Sequence, residues 1–435
     1  MPSGDTPLSE MGSVEKGGMP DTAAQPPAVH KDPAPDGGLR AWLVVLGVWC
    51  SLFVSFGWLN SIGTFQEYYQ HELLSGYSPG TVSWIPSLTV FFIMGMGPII
   101  GQLYDRFGPR YLMLGGTFLH VFGLMMASIS KQYYQLLLSQ GICSDLGASA
   151  VFQCSLNALH GWFSKRRGAA FGIAGTGSSV GGVVFPIMTS RLIRRAGFGW
   201  AMRTCAFLIL ALLVVANLTV AARHPPRPRD GPSGHGAALA KPFREFNFVL
   251  VVLGLFLFTF GMITPVNYIA AQAVSAGVDA TVVEYLVAIL NAGSLFGRLM
   301  SGFLGDKIGR YNIFVVVCYV TGILNLALWI PASTTGAFAA YAALFGFFSG
   351  AYVSLLAVLV VQISPLEEAG FRTGVAFFLA GVAGLVTGPI CGSILGNTGG
   401  WTGIKIFAGV FCLAGTTSVL LARLRITGWQ VAKVF

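Results

Sequence analysis

Charge is what this sequence has least of. Only 10% of its 435 residues are Asp, Glu, Lys or Arg, and 54% are hydrophobic. An ordinary soluble domain carries roughly a quarter charged residues, and a soluble globule of this length could not hide so much apolar surface from water. Cysteine is scarce as well. Cys50, Cys143, Cys154, Cys205, Cys318, Cys391 and Cys412 all lie in apolar runs, none paired at metal-ligand spacing. That excludes a disulfide framework and leaves small packing residues. No His-Glu-x-x-His, clustered histidine or nucleotide loop occurs. Neither a membrane enzyme nor an ATP-driven pump is therefore indicated, and no cofactor or metal is expected. Nucleic acid is not an expected partner, because the net charge of +9 is spread over short loops rather than one face.

What is present is apolar length. A helix needs about 20 residues to cross a bilayer. Twelve such runs can be placed, at 40–63, 82–103, 111–130, 134–160, 168–190, 200–221, 247–270, 281–304, 312–330, 336–360, 373–396 and 401–423. Residues 1–38 are rich in Pro, Gly, Ser, Ala and Asp, the composition of a disordered cytoplasmic tail. They carry no cleavable signal pattern. The basic stretch Arg223-His224-Pro225-Pro226-Arg227-Pro228-Arg229 marks a cytoplasmic linker over 222–246. It divides the chain into an N-terminal half, 39–221, and a C-terminal half, 247–424, ahead of a short tail, 425–435. Most of the 26 lysines and arginines then fall on one side, and positive loops stay cytoplasmic. Both termini are expected inside, in the plasma membrane by default and the vacuolar membrane as the alternative.

The two halves repeat each other. Gly101-Gln102-Leu103-Tyr104-Asp105-Arg106-Phe107-Gly108-Pro109-Arg110 follows the second run, and Gly302-Phe303-Leu304-Gly305-Asp306-Lys307-Ile308-Gly309-Arg310 follows the eighth, at an offset of 201. Gly168-Ala169-Ala170-Phe171 through Gly182 matches Gly374-Val375-Ala376-Phe377 through Gly388 at an offset of 206. Carriers built from parallel repeats show such a pattern. The expected fold class is an all-α integral membrane protein with twelve transmembrane helices in two six-helix pseudo-symmetric halves.

The two signature loops resemble that of the major facilitator superfamily, whose fold this is. Pro35-Asp36-Gly37-Gly38-Leu39-Arg40-Ala41-Trp42 and Trp162-Phe163-Ser164-Lys165-Arg166-Arg167-Gly168 resemble the monocarboxylate-porter family more narrowly. Gly199-Trp200-Ala201-Met202-Arg203 and Gln362-Ile363-Ser364-Pro365 are similar to its fungal branch. The resemblance covers about residues 35–424.

The loops have a physical reading of their own. Gly101 and Gly302 permit close helix approach, while Gly108 and Gly309 suit tight turns. Asp105 and Asp306 can accept hydrogen bonds from a helix N-terminus. Arg106, Arg110, Lys307 and Arg310 can pair with acidic groups or lipid phosphate. Together they are the expected cytoplasmic gate; ordinary turn chemistry with lipid anchoring is the plainer alternative.

Ionisable groups deep in a span are costly and are functional candidates. Asp145 leads Ser149, Gln153 and Asn157 at steps of four, a polar stripe that must line a cavity or a helix interface. Arg298 either snorkels or faces a cavity; the resemblance implies an anion-binding role, since porters of this family carry Arg there. Asn60 and Ser294 stand where animal lactate carriers of the family have Lys and Asp, so proton-coupled carboxylate transport does not carry over whole. Asp145 is the candidate replacement acid, exchanging a proton or an ion pair with Arg298. Asn267, Tyr268, Gln272 and Tyr352 add polar handles for a small organic molecule. His160 reads as an interfacial residue.

The expected function is secondary-active transport of a small organic solute by alternating access. The cargo would be a monocarboxylate-like anion or a secondary metabolite, with efflux as the leaning. Uptake of a monocarboxylate or riboflavin is the alternative, and a non-transporting sensor is less favoured. The expected partners are the solute, with proton coupling open, and the lipid bilayer; a monomer is sufficient.

Overall fold

The structure, a computed structural model, describes residues 34–223, 241–365, 368–398, 400–430 and 433–435. Most of the expected N-terminal tail and most of the expected linker lie outside the described residues.

Among the described residues twelve long helical segments follow one another, with short helical pieces at Ile62–Tyr68 and Pro79–Val82 between the first two. The first six are α1 (Leu39–Leu59), α2 (Trp84–Phe107), α3 (Pro109–Ala127), α4 (133–160), α5 (Arg167–Ala196) and α6 (Phe198–Thr219). Beyond the linker come α7 (Phe246–Ser275), α8 (Ala280–Ile308), α9 (Arg310–Trp329), α10 (Thr335–Gln362), α11 (Ala369–Thr398) and α12 (Thr402–Ile426). Eleven of them are long and apolar enough to cross a membrane. The other is α4, which opens as Tyr133–Leu138, widens into a π turn over Ser139–Ser144 and resumes as Asp145–His160. A helix satisfies its own backbone, which is why apolar runs adopt it in lipid. Phe118, Leu218 and Phe296 are exposed, as a lipid-facing surface requires.

The turns after α2 and α8 are built alike. Gly108 has φ 72° and Gly309 φ 107°, left-handed backbone that glycine adopts without a Cβ penalty. Pro109 then opens α3, where its missing N–H is not needed.

Within the N-terminal six, α1 packs on α5 and α3 on α4; within the C-terminal six, α7 packs on α12 and α8 on α10. The most extensive crossings between the sets are α5 with α8 and α2 with α11. The second repeat has a different register from the one the sequence suggests. Both α5 and α11 have 30 residues, with Pro186 and Pro389 inside them. They correspond at an offset of 202 (Arg167 to Ala369), not 206. Gly370, rather than Gly374, is thus the counterpart of Gly168. Runs of Gly and Ala match at several registers, and only the helix starts and their contacts choose between them.

Candidate functional site

The loop-bearing end is held by carboxylates at helix N-termini. Asp306 Oδ1 accepts from Gly168 N–H and Asp306 Oδ2 from Ala169 N–H, both at 2.8 Å. These donors belong to the first turn of α5, whose dipole favours an anion. Arg310 pairs with the same carboxylate at 2.9 Å and donates to Ser164 O at 2.7 Å. On the other side, Asp105 lies against the first turn of α11: a Cβ on Gly370 would stand 2.7 Å from its Oδ1. Arg106, Arg110 and Lys307 instead point to the surface, with Arg106 over the ring of Phe107.

Glycines bring the crossing helices into backbone contact. A Cβ on Gly101 would lie 2.6 Å from Gly370 O, and one on Gly97 2.5 Å from Gly374 O. In the other pair, a Cβ on Gly302 would lie 2.5 Å from Gly168 O. The far end of α11 is different, because a Cβ on Gly388, Gly392 or Gly396 would meet nothing within 4 Å. This helix therefore meets facing backbone at the loop-bearing end, whereas at the other its glycine faces are uncovered while Thr264 and Tyr268 of α7 still hold it at Cys391 and Gly388.

Two anchors of that end were not foreseen from sequence. Asp36 Oδ1 accepts from Ser164 N–H at 2.7 Å and from Arg166 N–H at 3.2 Å, while Trp42 meets Phe163 edge-on at 5.4 Å. The phrases at 35–42 and 162–168 are thus two sides of one contact. Arg372 on α11 grips Glu245 with two bonds of 2.6 Å and Glu368 at 2.8 and 3.0 Å, and lies over the ring of Phe248. The bonds from Arg372 hold the Glu245 carboxyl below the usual carboxylate range. The signal in the sequence was an arginine near a span end with two distant acids, a pattern too common to single out.

The expected site residues do not gather in one place. Arg298 is buried between α8 and α5, where its Nη1 donates to Gly175 O and Ser178 Oγ and its Nε to Ser294 Oγ at 3.1 Å. Ser294, the replacement for the family's Asp, serves here as its acceptor. Asp145 is fully buried on α4, and neither carboxylate oxygen has a partner among the described residues. No Asp145–Arg298 ion pair forms, because each is enclosed by a different helix contact. The stripe turns to a helix interface rather than an open cavity: Ser149 Oγ donates to Ile93 O of α2 at 3.0 Å, and Gln153 is 1% exposed.

Tyr352 is also a correction. Its hydroxyl bonds Thr259 Oγ1 at 2.6 Å and its ring stacks on Phe258 at 4.8 Å, so it fastens α10 to α7. Gln272 accepts from Trp329 Nε1 at 2.6 Å in the same way. His160 is not interfacial but buried, stacked on Phe171 at 4.9 Å. A spacing pattern shows which face is polar and not what the face meets. Among the rest, Asn267 is exposed beyond Pro265, and Tyr268 donates to Gly388 O at 3.1 Å on the splayed part of α11. Asn60, half-buried, accepts from Asn291 Nδ2 of α8 at 3.2 Å, a bridge across the sets.

Comparison with known proteins follows this geometry. The sequence pattern of the Major Facilitator Superfamily matches residues 46–273 and 249–431. The chain is 56% identical over 420 residues to MFS transporter asaE of Aspergillus flavus, covering 96% of this chain and 93% of the relative. It is 51% identical over 408 residues to the fujikurins efflux protein of Gibberella fujikuroi, with 93% and 87% covered. The aspyridones efflux protein apdF of Emericella nidulans is 34% identical over 408 residues, with 93% and 82% covered. The crystal structure of the transporter FucP in its outward conformation shares the fold, with a TM-score of 0.69 at 15% identity over 88% of this chain and 99% of that one.

Proposed function

This chain belongs to the major facilitator superfamily, and on that footing we propose that it exports a small organic secondary metabolite by alternating access. The observation that carries the mechanism is the contrast along α11, whose Gly370 and Gly374 meet facing residues of α2 while the faces at Gly388, Gly392 and Gly396 are uncovered. A carrier needs two ends that open in turn. Here one end is held by Asp306 on α5, Asp105 against α11 and three glycine contacts, all of which can be released without breaking a helix.

The positive-inside pattern makes the clamped end cytoplasmic, with both termini inside and the plasma membrane as residence. The solute path then faces outward in this structure. The halves 39–221 and 247–424 are the rocking bodies, and one chain is sufficient. Asn60, Asn267 and Tyr268 are the polar handles nearest the open end, with Arg298 on the closed side. Amides and aromatics in an apolar setting suit a largely neutral organic molecule with a few polar groups. The outward direction rests on the relatives named as efflux proteins. None of the three relatives above is named for a monocarboxylate, so the porter-like phrases support the scaffold and not the cargo. A nucleotide loop is lacking, which leaves an ion or substrate gradient as the energy source.

Counterflow in proteoliposomes tests this reading. Protein would be offered labelled lactate, pyruvate, acetate and riboflavin, and extract from the organism that makes it, with and without a pH gradient. Flux confined to an extract component is the expected result. Gradient-driven uptake of lactate or riboflavin would replace export by nutrient uptake.

A further inference from the structure

The side of α4 that runs from Asp145 toward the loop-bearing end carries an unusual set of atoms. Asp145 Oδ1 and Oδ2, Gln153 Nε2, both side-chain polar atoms of Asn157 and both ring nitrogens of His160 are buried, with no hydrogen-bond partner among the described residues. These residues are all 6% exposed or less. Thr373 Oγ1, on the facing helix α11, is orphaned too. At about 100° and 1.5 Å per residue, positions 145 to 160 fall within a sector of about 120° along about 22 Å of helix. A lone orphan is a local misfit, but a row from Gln153 to His160, set apart from Asp145 by Ser149 with its bond to Ile93 O, is not, since leaving each such group unsatisfied costs about 1–3 kcal/mol.

The other side of Asp145 shows the opposite. Tyr69 hydroxyl donates to Gln140 at 2.5 Å, His120 Nδ1 meets Ser144 Oγ at 2.8 Å, and Thr89 donates to Ile85 O at 3.2 Å. Most polar groups there are satisfied by protein, and the Thr89 hydroxyl also lies beside the Asp145 carboxyl, whereas those leading toward the loop-bearing end need something else. Water is the small molecule that supplies both donors and acceptors to buried groups of this kind. The π turn at Ser139–Ser144, directly before Asp145, adds a local widening of the helix, a feature that concentrates at functional positions.

We propose that these orphaned groups line a file of water through which a proton travels between the loop-bearing end and Asp145. The inference rests on the carrier reading for its purpose and on the geometry alone for its existence. A hydronium ion in the file gives its proton to the Asp145 carboxylate and remains as water; release toward the loop-bearing end reverses the step. Rings of Phe56 and Phe377 close on Phe152, shielding the side of the file. The titratable and charged groups nearby are Tyr69 beyond α1 and His120 of α3 at the Asp145 end, and Tyr104 and Asp105 of α2, Cys154 of α4 itself and Arg167 at the start of α5 toward the loop-bearing end. Arg167 donates to Phe163 O at 3.0 Å and His160 O at 3.5 Å, which puts a fixed cation at the mouth rather than inside the file. In an exporter this path returns the coupling proton to the inside while cargo leaves by the opposite face.

Infrared difference spectroscopy of the full chain in phosphatidylcholine nanodiscs tests the file without any cargo. Wild type minus Asp145→Asn is expected to show one carboxylic C=O band that shifts rapidly when water is replaced by deuterium oxide. Asn157→Leu, which fills the file with an apolar group, is expected to slow that shift by at least about tenfold, while Asn157→Ser keeps it fast. Should Asn157→Leu fail to fold, His160→Phe serves as the second block. No band lost in Asp145→Asn, or exchange equally fast in the blocked variants, would overturn the proposal. Lack of extract flux in liposomes would sink the export reading and leave these exchange rates standing, so the two failures are distinguishable.

Discussion

The two helix pairs that join the halves are built on one plan and finished differently. Both α5–α8 and α2–α11 cross through glycines, and both place an aspartate from a signature loop at the first turn of the partner helix. At an offset of 201, Gly97 of α2 corresponds to Arg298 of α8. Gly97 lets α2 touch the backbone of α11 at Gly374, whereas Arg298 reaches along α5 to Gly175 and Ser178. One crossing is backbone on backbone, and the other has a buried cation threaded through it. On the α11 side the charge stands outside the crossing instead, in the Arg372–Glu245–Glu368 cluster. Repetition supplies closeness, and departures from repetition supply chemistry.

The largest effect should come from removing the closeness itself. Gly302→Val or Gly97→Val puts a side chain where a Cβ already lies within about 2.5 Å of facing backbone, and close-packed interfaces do not absorb such a volume. Either change should abolish closure of the loop-bearing end and cut flux more than about tenfold. The readout is thiol labelling of single cysteines placed at that end. Unchanged labelling in both variants would break the claim that the crossings are equivalent in holding it shut.

Next in size is the charge at the α5 N-terminus. Asp306→Asn keeps the shape but loses one of two acceptors for Gly168 and Ala169 and the pair with Arg310. The expected cost to the closed end is about 2 kcal/mol, roughly a thirtyfold shift of population. The same labelling assay measures it, and Arg310→Gln should add little on top, because the two residues act as one network.

The smallest effect belongs to the cluster on the α11 side. Glu245 is partly exposed, and Arg372 holds its carboxyl below the usual range. A carboxylate with a depressed native pKa contributes stability above its unfolded pKa and loses it as pH falls through the native one. Wild type should therefore melt above Glu245→Gln at pH 7, with the gap closing only below the ordinary carboxylate range. A gap that closed between pH 8 and 6 would point to another group.

How far the sequence reaches differs by element. The spans were legible because a bilayer demands about 20 apolar residues in a row, and all twelve expected runs overlap a helical segment. Gly108 and Gly309 were legible as turns because positive φ favours glycine. The partners of Asp306 were foreseen in kind, as a helix N-terminus, but not by number. Asp145 and Arg298 stand out in the sequence as costly groups in a span, yet the structure encloses them in different helix contacts, and it gives the Tyr352 hydroxyl to Thr259. A burial cost can be read from one position, whereas a partner requires knowing which helix lies across from it.

The sequence by itself determined the class, the apolar runs that become helices, the signature-loop repeat and the positions where ionisable groups enter those runs. Each follows from local composition, because lipid imposes the same requirement on every residue it surrounds. Only the tertiary structure decided that α11 meets α2 through backbone at one end and leaves its glycine faces uncovered at the other, that Arg298 bonds α5, and that the α4 stripe faces other helices. Those outcomes depend on contacts between residues more than fifty positions apart, where helix register and crossing select one of many matches that the sequence allows.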